Sequence, residues 1–265
     1  MKMQAFKKLD DMETKNTEYQ NIIFDLVGVL FSINKFRLCM DLGLLNIAWY
    51  MLKHRKNPLD TFLTTLDEIA KNEDQDYFSI KYKDYRQPKC ITEYNLGLKG
   101  SKEIKNELYE HIQRLDTKNY FKNKQEKQIV LDILNTISES KKISKTAKPM
   151  VKTIDLVKKL KTQKKYKQFI LSNIDSETFE ILKKTYAKVF ALFDGIVLSC
   201  EAQLLKPNHL IYGFLTDRYN LNPKQCIFID DQQENINAAQ EVGIKGIIYK
   251  NFSYVDKNLK DLGVI

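Results

Sequence analysis

Three carboxylates, a lysine and a serine carry the chemistry that this sequence offers. Asp25 closes the short run Asn21-Ile22-Ile23-Phe24, and Gly28 follows three residues later. Asp230 and Asp231 close a second run of the same kind, Cys226-Ile227-Phe228-Ile229. Ser172 and Asn173 follow Phe169-Ile170-Leu171, and Lys206 precedes Pro207. Each residue alone has an ordinary structural use: an Asp caps a turn, a Ser caps a helix, and a Lys-Pro pair marks a loop before a helix. Together they ask for more. Two buried strands that deliver acids to one sheet edge repel each other unless a cation lies between them. The set therefore points to a divalent metal site.

The elements that must position these residues follow from periodicity. Short apolar runs closed by turn signals read as strands buried on both faces, and their C-terminal ends are where open α/β sheets place their chemistry. After the first strand and the turn Val27-Gly28-Val29, the pattern becomes helical from about Asn34 to Pro149. Helices are expected over Lys35–His54, Leu59–Lys71, Ser101–Leu115 and Gln125–Ser138, with no strand between them. An insertion of this size directly after the first strand reads as an all-helical cap domain over residues 34–149. The lysine-dense stretch Lys141–Lys167 reads as a solvated hinge and helix face.

Beyond it, helices Thr153–Lys161, Ser176–Val189, Pro207–Arg218 and Glu234–Val242 alternate with strands Gln168–Leu171, Gly195–Leu198, Gln225–Ile229 and Gly246–Tyr249. That rhythm defines the fold class as α/β, a Rossmann-like doubly wound parallel sheet. The sheet domain would comprise residues 19–33 and 150–265, preceded by an N-terminal extension over residues 1–18.

Composition narrows the function classes. The 265 residues carry a net charge of +9, but 38 of the basic residues are Lys and 5 are Arg. Base readers lean on the planar fork of Arg, so the basicity reads as a lysine-rich surface that attracts anionic substrates, without specific nucleic-acid binding. Cys39, Cys90, Cys200 and Cys226 are far apart, as reduced thiols of a cytoplasmic protein are. Residues Met1 to Gln20 hold no apolar signal segment. The apolar stretch Leu42–Leu52 is too short to cross a bilayer and reads as a buried helix, so no membrane partner is expected. His54, His111 and His209 fall on helices in polar company and read as surface residues, whereas Trp49, Tyr50 and Met51 read as packing. Neither a GxSxG elbow nor a GxGxxG loop after a strand is present.

Four stretches in this order resemble the motifs of the haloacid dehalogenase superfamily, whose members are mostly phosphatases. Phe24-Asp25-Leu26-Val27-Gly28-Val29-Leu30 resembles the first motif, Leu171-Ser172-Asn173 the second, Leu205-Lys206-Pro207 the third, and the stretch from Phe228 to Ala239 the fourth. The insertion after the first motif is similar in placement to the family's helical caps. The resemblance implies that Asp25 is the nucleophile, forming an aspartyl-phosphate that water then hydrolyses. It implies magnesium as cofactor, held by Asp25, the backbone carbonyl of Val27, and Asp230 and/or Asp231. Ser172 and the backbone N–H of Asn173 would bind the phosphate, and Lys206 would offset charge on both phosphate and nucleophile. The implied partner is a small phosphorylated metabolite.

One position departs from the family. Typical members that are phosphatases carry a second Asp two residues after the nucleophile, as general acid and base; here it is Val27. Three readings follow. The first is a magnesium-dependent phosphatase that is slow, restricted to good leaving groups, or borrows an acid from the cap. The second is a non-catalytic phosphate- or partner-binding relative. The third is a metal-independent dehalogenase, against which Asp230-Asp231 argues, since dehalogenases lose that acidic pair.

Overall fold

Ile22, Ile23 and Phe24 suit an extended backbone, and all three side chains are fully buried. They form strand β1 (Asn21–Phe24) of a computed structural model that describes residues 18–34, 44–73, 81–82 and 85–265. The chain then turns and forms β2 (Phe31–Ile33), α1 (Leu44–His54) and α2 (Pro58–Lys71). A hairpin of β3 (Lys81–Tyr82) and β4 (Tyr85–Arg86) leads to α3 (Lys89–Asn95), α4 (Ser101–Thr117), α5 (Lys124–Ile137) and α6 (Ser140–Thr146). Strand β5 (Ala147–Pro149) returns antiparallel to β2 and so forms a stem at the base of the insertion. The alternating half follows as α7 (Val151–Gln163), β6 (Lys167–Ser172), α8 (Ser176–Thr185), α9 (Ala187–Phe190), β7 (Gly195–Leu198) and α10 (Ser199–Ala202). It continues as α11 (His209–Tyr219), β8 (Cys226–Asp230), α12 (Gln233–Glu241), β9 (Lys245–Ile248) and α13 (Phe252–Asp261).

Five strands form one parallel sheet in the order β7-β6-β1-β8-β9. Successive side chains of a strand point to opposite faces. Ile22 and Phe24 accordingly join Ile170, Ile227 and Ile229 in one apolar cluster, and Ile23 joins Phe169, Leu171 and Phe228 in the other. From β1 the chain goes first to β6 and β7, then back across to β8 and β9. The reversal opens a crevice at the C-terminal ends of β6, β1 and β8, where open α/β sheets bind ligands. A third cluster, built around Ile69, Leu108, Ile112, Val130 and Leu134, draws only on α1 to α5 and the segments joining them.

Local signals account for five of the helix starts. Asn57, Asn123, Asp175, Asn208 and Asn251 each accept a backbone N–H of the first turn of the helix that follows. Several differences from the sequence reading have physical causes. The expected helix Ser176–Val189 breaks at Tyr186, whose backbone leaves the helical region (φ −119°, ψ 37°). Its ring packs against Phe31 and its hydroxyl donates to the Ala147 carbonyl, so a tertiary anchor interrupts the helix. The lysine-rich hinge contains α6 and β5, because β2 supplies a pairing partner that lies more than a hundred residues away. Among the described residues the insertion over 34–149 is helical apart from the β3–β4 hairpin and β5, so it is not all-helical as expected.

Helix α1 buries Ile47 and Tyr50 but leaves Trp49, Met51 and Leu52 exposed, Leu52 by 81%. It is therefore amphipathic and not buried all round, and of the three residues read as packing only Tyr50 packs. The extension over residues 1–17, the first part of the expected helix from Lys35, and Cys39 lie outside the described residues. Among the described residues no helix is long and apolar enough to cross a membrane.

Candidate active site

Strand register brings the acids together. Phe24 is paired with Ile170 on β6 and with Ile229 on β8. One residue further along three parallel strands, Asp25 stands level with Leu171 and Asp230. The Asp25 N–H donates to the Ile229 carbonyl at 2.9 Å, which holds the chain in register as it leaves the sheet. Asp231 follows on the loop into α12. Carboxylate oxygens of Asp25, Asp230 and Asp231 all lie within 4.8 Å of one another. Asp25 and Asp230 are buried, whereas Asp231 is exposed.

Lys206 lies among them. Its Nζ donates to Asp25 Oδ1 at 2.6 Å, to Asp230 Oδ2 at 2.7 Å and to the Leu171 carbonyl at 3.0 Å. All three ammonium protons are thereby used, with the side chain only 2% exposed. Phe228 supplies a ring 5.3 Å from the ammonium. One ammonium thus serves two buried carboxylates. Burial pushes the Asp25 carboxyl up to about 7, Lys206 opposes that rise, and Asp230 adds to it. The Lys206 ammonium is in turn held above its ordinary value: Asp230 and Asp25 outweigh its burial. The two buried carboxylates have that single ammonium between them. A hard divalent cation with oxygen ligands fits this donor set, since it would relieve the repulsion among the carboxylates.

The other residues singled out by sequence fall around this core. Ser172 ends β6, is 1% exposed, and makes no side-chain hydrogen bond to any described residue. Its hydroxyl is therefore available to a ligand. Asn173 faces Lys206: its Nδ2 donates to the Lys206 carbonyl and its Oδ1 accepts the Lys206 N–H, both at 2.9 Å. Val27 lies two residues past Asp25, 37% exposed, in a bridge with Phe31. It brings no ionisable group to the acids.

Sequence reasoning missed two positioning devices. The Asn173 side chain clamps the backbone that carries Lys206. Asn235, on the first turn of α12, donates to both oxygens of Asp230 at 3.0 and 3.1 Å, while the Gln232 N–H donates to Oδ1 at 2.8 Å. The five-residue step from Asp230 to Asn235, across a turn into a helix, is the signal that could have found the second. The first joins residues that are distant in sequence and left no local trace.

Gly28 is fitted to its place by backbone and by space. Its φ is +104°, and a Cβ there would lie 2.5 Å from Asp231 Oδ2. Gly28→Ala is expected to displace the Asp231 carboxylate and to cost about 1–3 kcal/mol through backbone strain. A thermal melt together with a magnesium titration reads both effects.

A parallel sheet with a reversal in strand order, and three acids, a lysine and a serine hydroxyl at its C-terminal edge, defines an α/β protein with a candidate active site. The sequence pattern of haloacid dehalogenase-like hydrolases matches residues 19–243, and the chain belongs to that family. Flavin mononucleotide hydrolase 1 of Arabidopsis thaliana is 34% identical over 77 residues, which is 29% of this chain and 31% of that protein. A sesquiterpene phosphatase of Aspergillus oryzae is 30% identical over 100 residues, 38% of this chain and 50% of that protein. The chain thus spans half or less of the length of these relatives. A crystal structure of a family enzyme from Bacteroides thetaiotaomicron, in complex with magnesium and inorganic phosphate, has a TM-score of 0.54 at 18% identity. That alignment covers 89% of this chain and 98% of that one, and it speaks to the fold.

Proposed function

We propose that this protein is a magnesium-dependent phosphatase acting on a small phosphorylated metabolite, by way of an aspartyl-phosphate on Asp25. The observation that carries the reading is the ammonium of Lys206 held between Asp25 and Asp230, with the Asp231 carboxylate within reach of both acids. The names of the Arabidopsis and Aspergillus relatives, a hydrolase of a flavin nucleotide and a phosphatase, support the substrate class.

In this reading Asp25, Asp230, Asp231 and the Val27 carbonyl hold the metal. Bound magnesium supplies Lewis-acid stabilisation of the charge that develops on the transferred group. Asp25 attacks phosphorus through a carboxylate oxygen, and the bond to the leaving oxygen breaks as the new one forms. Lys206 keeps Asp25 oriented and offsets negative charge on the phosphoryl oxygens. The Ser172 hydroxyl and the Asn173 N–H donate to those oxygens. Water then cleaves the acyl phosphate and frees Asp25. The stem β2–β5 and the separate apolar cluster of α1 to α5 support a division into a core of residues 19–33 and 150–265 and a cap of residues 34–149. Cys90, Cys200 and Cys226 are free thiols, which suits a reducing cytoplasm.

Val27 sets the chemical limit. No acid at that position can protonate the departing oxygen, and a positioned acid–base is worth about 10²–10⁴ in rate. Turnover is therefore expected with p-nitrophenyl phosphate, whose leaving group needs no proton, and should be weak with alkyl phosphates. EDTA should abolish it. Val27→Asp should raise the alkyl-phosphate rate towards that factor and leave the aryl rate nearly unchanged. Metal-independent chloride release from 2-chloropropionate would move the assignment to a dehalogenase, and phosphate binding without turnover to a binding protein.

A further inference from the structure

The far end of the helical insertion holds a cavity of about 450 Å³, within the size range of small-molecule sites. Its walls come from the α1–α2 connection, the first two turns of α2, and the α4–α5 connection running into α5. No residue of the five-stranded sheet lines it.

Helix lengths set its distance from the sheet domain. Ser101 starts α4 and Ser140 starts α6 just beyond α5, and both hydroxyls donate to Glu177 on α8. Tyr120 and Lys122, which line the cavity, lie past the opposite end of α4, roughly 25 Å along a helix of 17 residues. Glu126 is likewise on the first turn of α5, whose 14 residues put about 20 Å between it and the seam.

The charges in this cavity are partly unspent. Lys56 is paired with Glu126 at 2.7 Å, and Glu126 also accepts the Lys122 N–H. The side chains of Arg55 and Lys122 make no ion pair or hydrogen bond with a described residue, although Lys122 also acts on the Glu126 carboxylate electrostatically, so three cations face the cavity against two carboxylates, Glu126 and Asp60. Arg55 also occupies a backbone position that glycine takes without steric cost: it follows the last residue of α1 at φ +50°, with its N–H on the Met51 carbonyl. The Arg55 fork matches a phosphate or carboxylate, Lys122 adds a second cation, and Asp60 can accept from hydroxyls.

We infer that this cavity is an accessory site for a small hydroxylated anion of the phosphate-ester class, separate from the acid cluster around Asp25. The chain carries a single tryptophan, Trp49, on α1 only six residues before Arg55, and its emission gives a local probe. The experiment titrates inorganic phosphate and, separately, glycerol 3-phosphate in EDTA, against sodium chloride at matched ionic strength. It compares the native chain, Asp25→Asn, and the double variant Arg55→Gly with Lys122→Ala. Both changes of the double variant fall on exposed residues, and glycine suits the backbone at 55.

The expected result is a saturable emission change with glycerol 3-phosphate that chloride does not produce. Asp25→Asn should retain it, and the double variant should weaken it about tenfold or more, as loss of charge-assisted hydrogen bonds does. A titration without saturation, or an unchanged affinity in the double variant, overturns the site. Since no turnover is measured, the result stands apart from the hydrolytic reading of Asp25.

Discussion

Asp25→Asn is expected to lower turnover of p-nitrophenyl phosphate by on the order of 10⁴-fold or more, as loss of a covalent nucleophile does. The amide retains the size of the carboxylate but cannot attack phosphorus. The fold should tolerate the change, because Asp25 is 5% exposed and its charge is held out of water. Burial is the largest influence on that carboxyl and disfavours its ionised form. Replacing a buried charge by a neutral amide removes that penalty and leaves Lys206 paired with Asp230. The unfolding temperature in EDTA should therefore stay level or rise while activity disappears. A variant that lost activity and melted much lower would mean that Asp25 serves the fold and not the chemistry. An active variant would remove the nucleophile from the proposal altogether.

Lys206→Met carries the largest expected effect on stability. Methionine replaces the length of the stem but none of the three hydrogen bonds to Asp25, Asp230 and the Leu171 carbonyl. Two buried carboxylates then face each other with no cation between them. Removing one partner from a buried ion pair costs roughly 3–5 kcal/mol, which for a chain of this size lowers Tm by about 10 °C. Magnesium offers a second test. If a cation fits the acid cluster, millimolar magnesium should raise the Tm of Lys206→Met more than that of the native chain, since the variant has more uncompensated charge to gain from it. Differential scanning calorimetry with magnesium or EDTA measures both effects. A variant as stable as the native chain would show that the acids lie protonated and do not need the lysine. Equal magnesium shifts in both proteins would separate the lysine from the metal site.

Much of the sheet was legible because its signals are local. Ile22 to Phe24, Phe169 to Leu171 and Ile227 to Ile229 are short apolar runs closed by polar residues, and that pattern survives without knowledge of the partner strands. Strand β7 was read at its observed limits, and β6, β8 and β9 within about one residue, the ordinary uncertainty of an element's end. Helix α13 was not read at all, although Asn251 caps it and Val255 and Leu259 lie one turn apart on its buried face. Those cues are as local as the ones that mark the strands. Strands β2 and β5 are different. Three residues of ordinary composition become a strand only because their partner arrives from beyond the insertion.

Residue types and spacing alone determined that Asp25, Ser172, Lys206 and Asp230-Asp231 would stand at one edge of a parallel sheet, because each ends or follows a strand whose direction the βαβ rhythm sets. They also established that Val27 offers no proton, a matter of composition that no fold can repair. Tertiary structure alone decided how these groups meet: that one ammonium bridges two acids, that Asn173 and Asn235 hold Lys206 and Asp230, and that Gly28 leaves room for Asp231. It also decided that Arg55 and Lys122, 67 positions apart in the chain, share a cavity in the insertion. Periodicity reports which way a side chain points from its own element. Contacts between elements depend on register, loop closure and burial, which the chain acquires only when it packs.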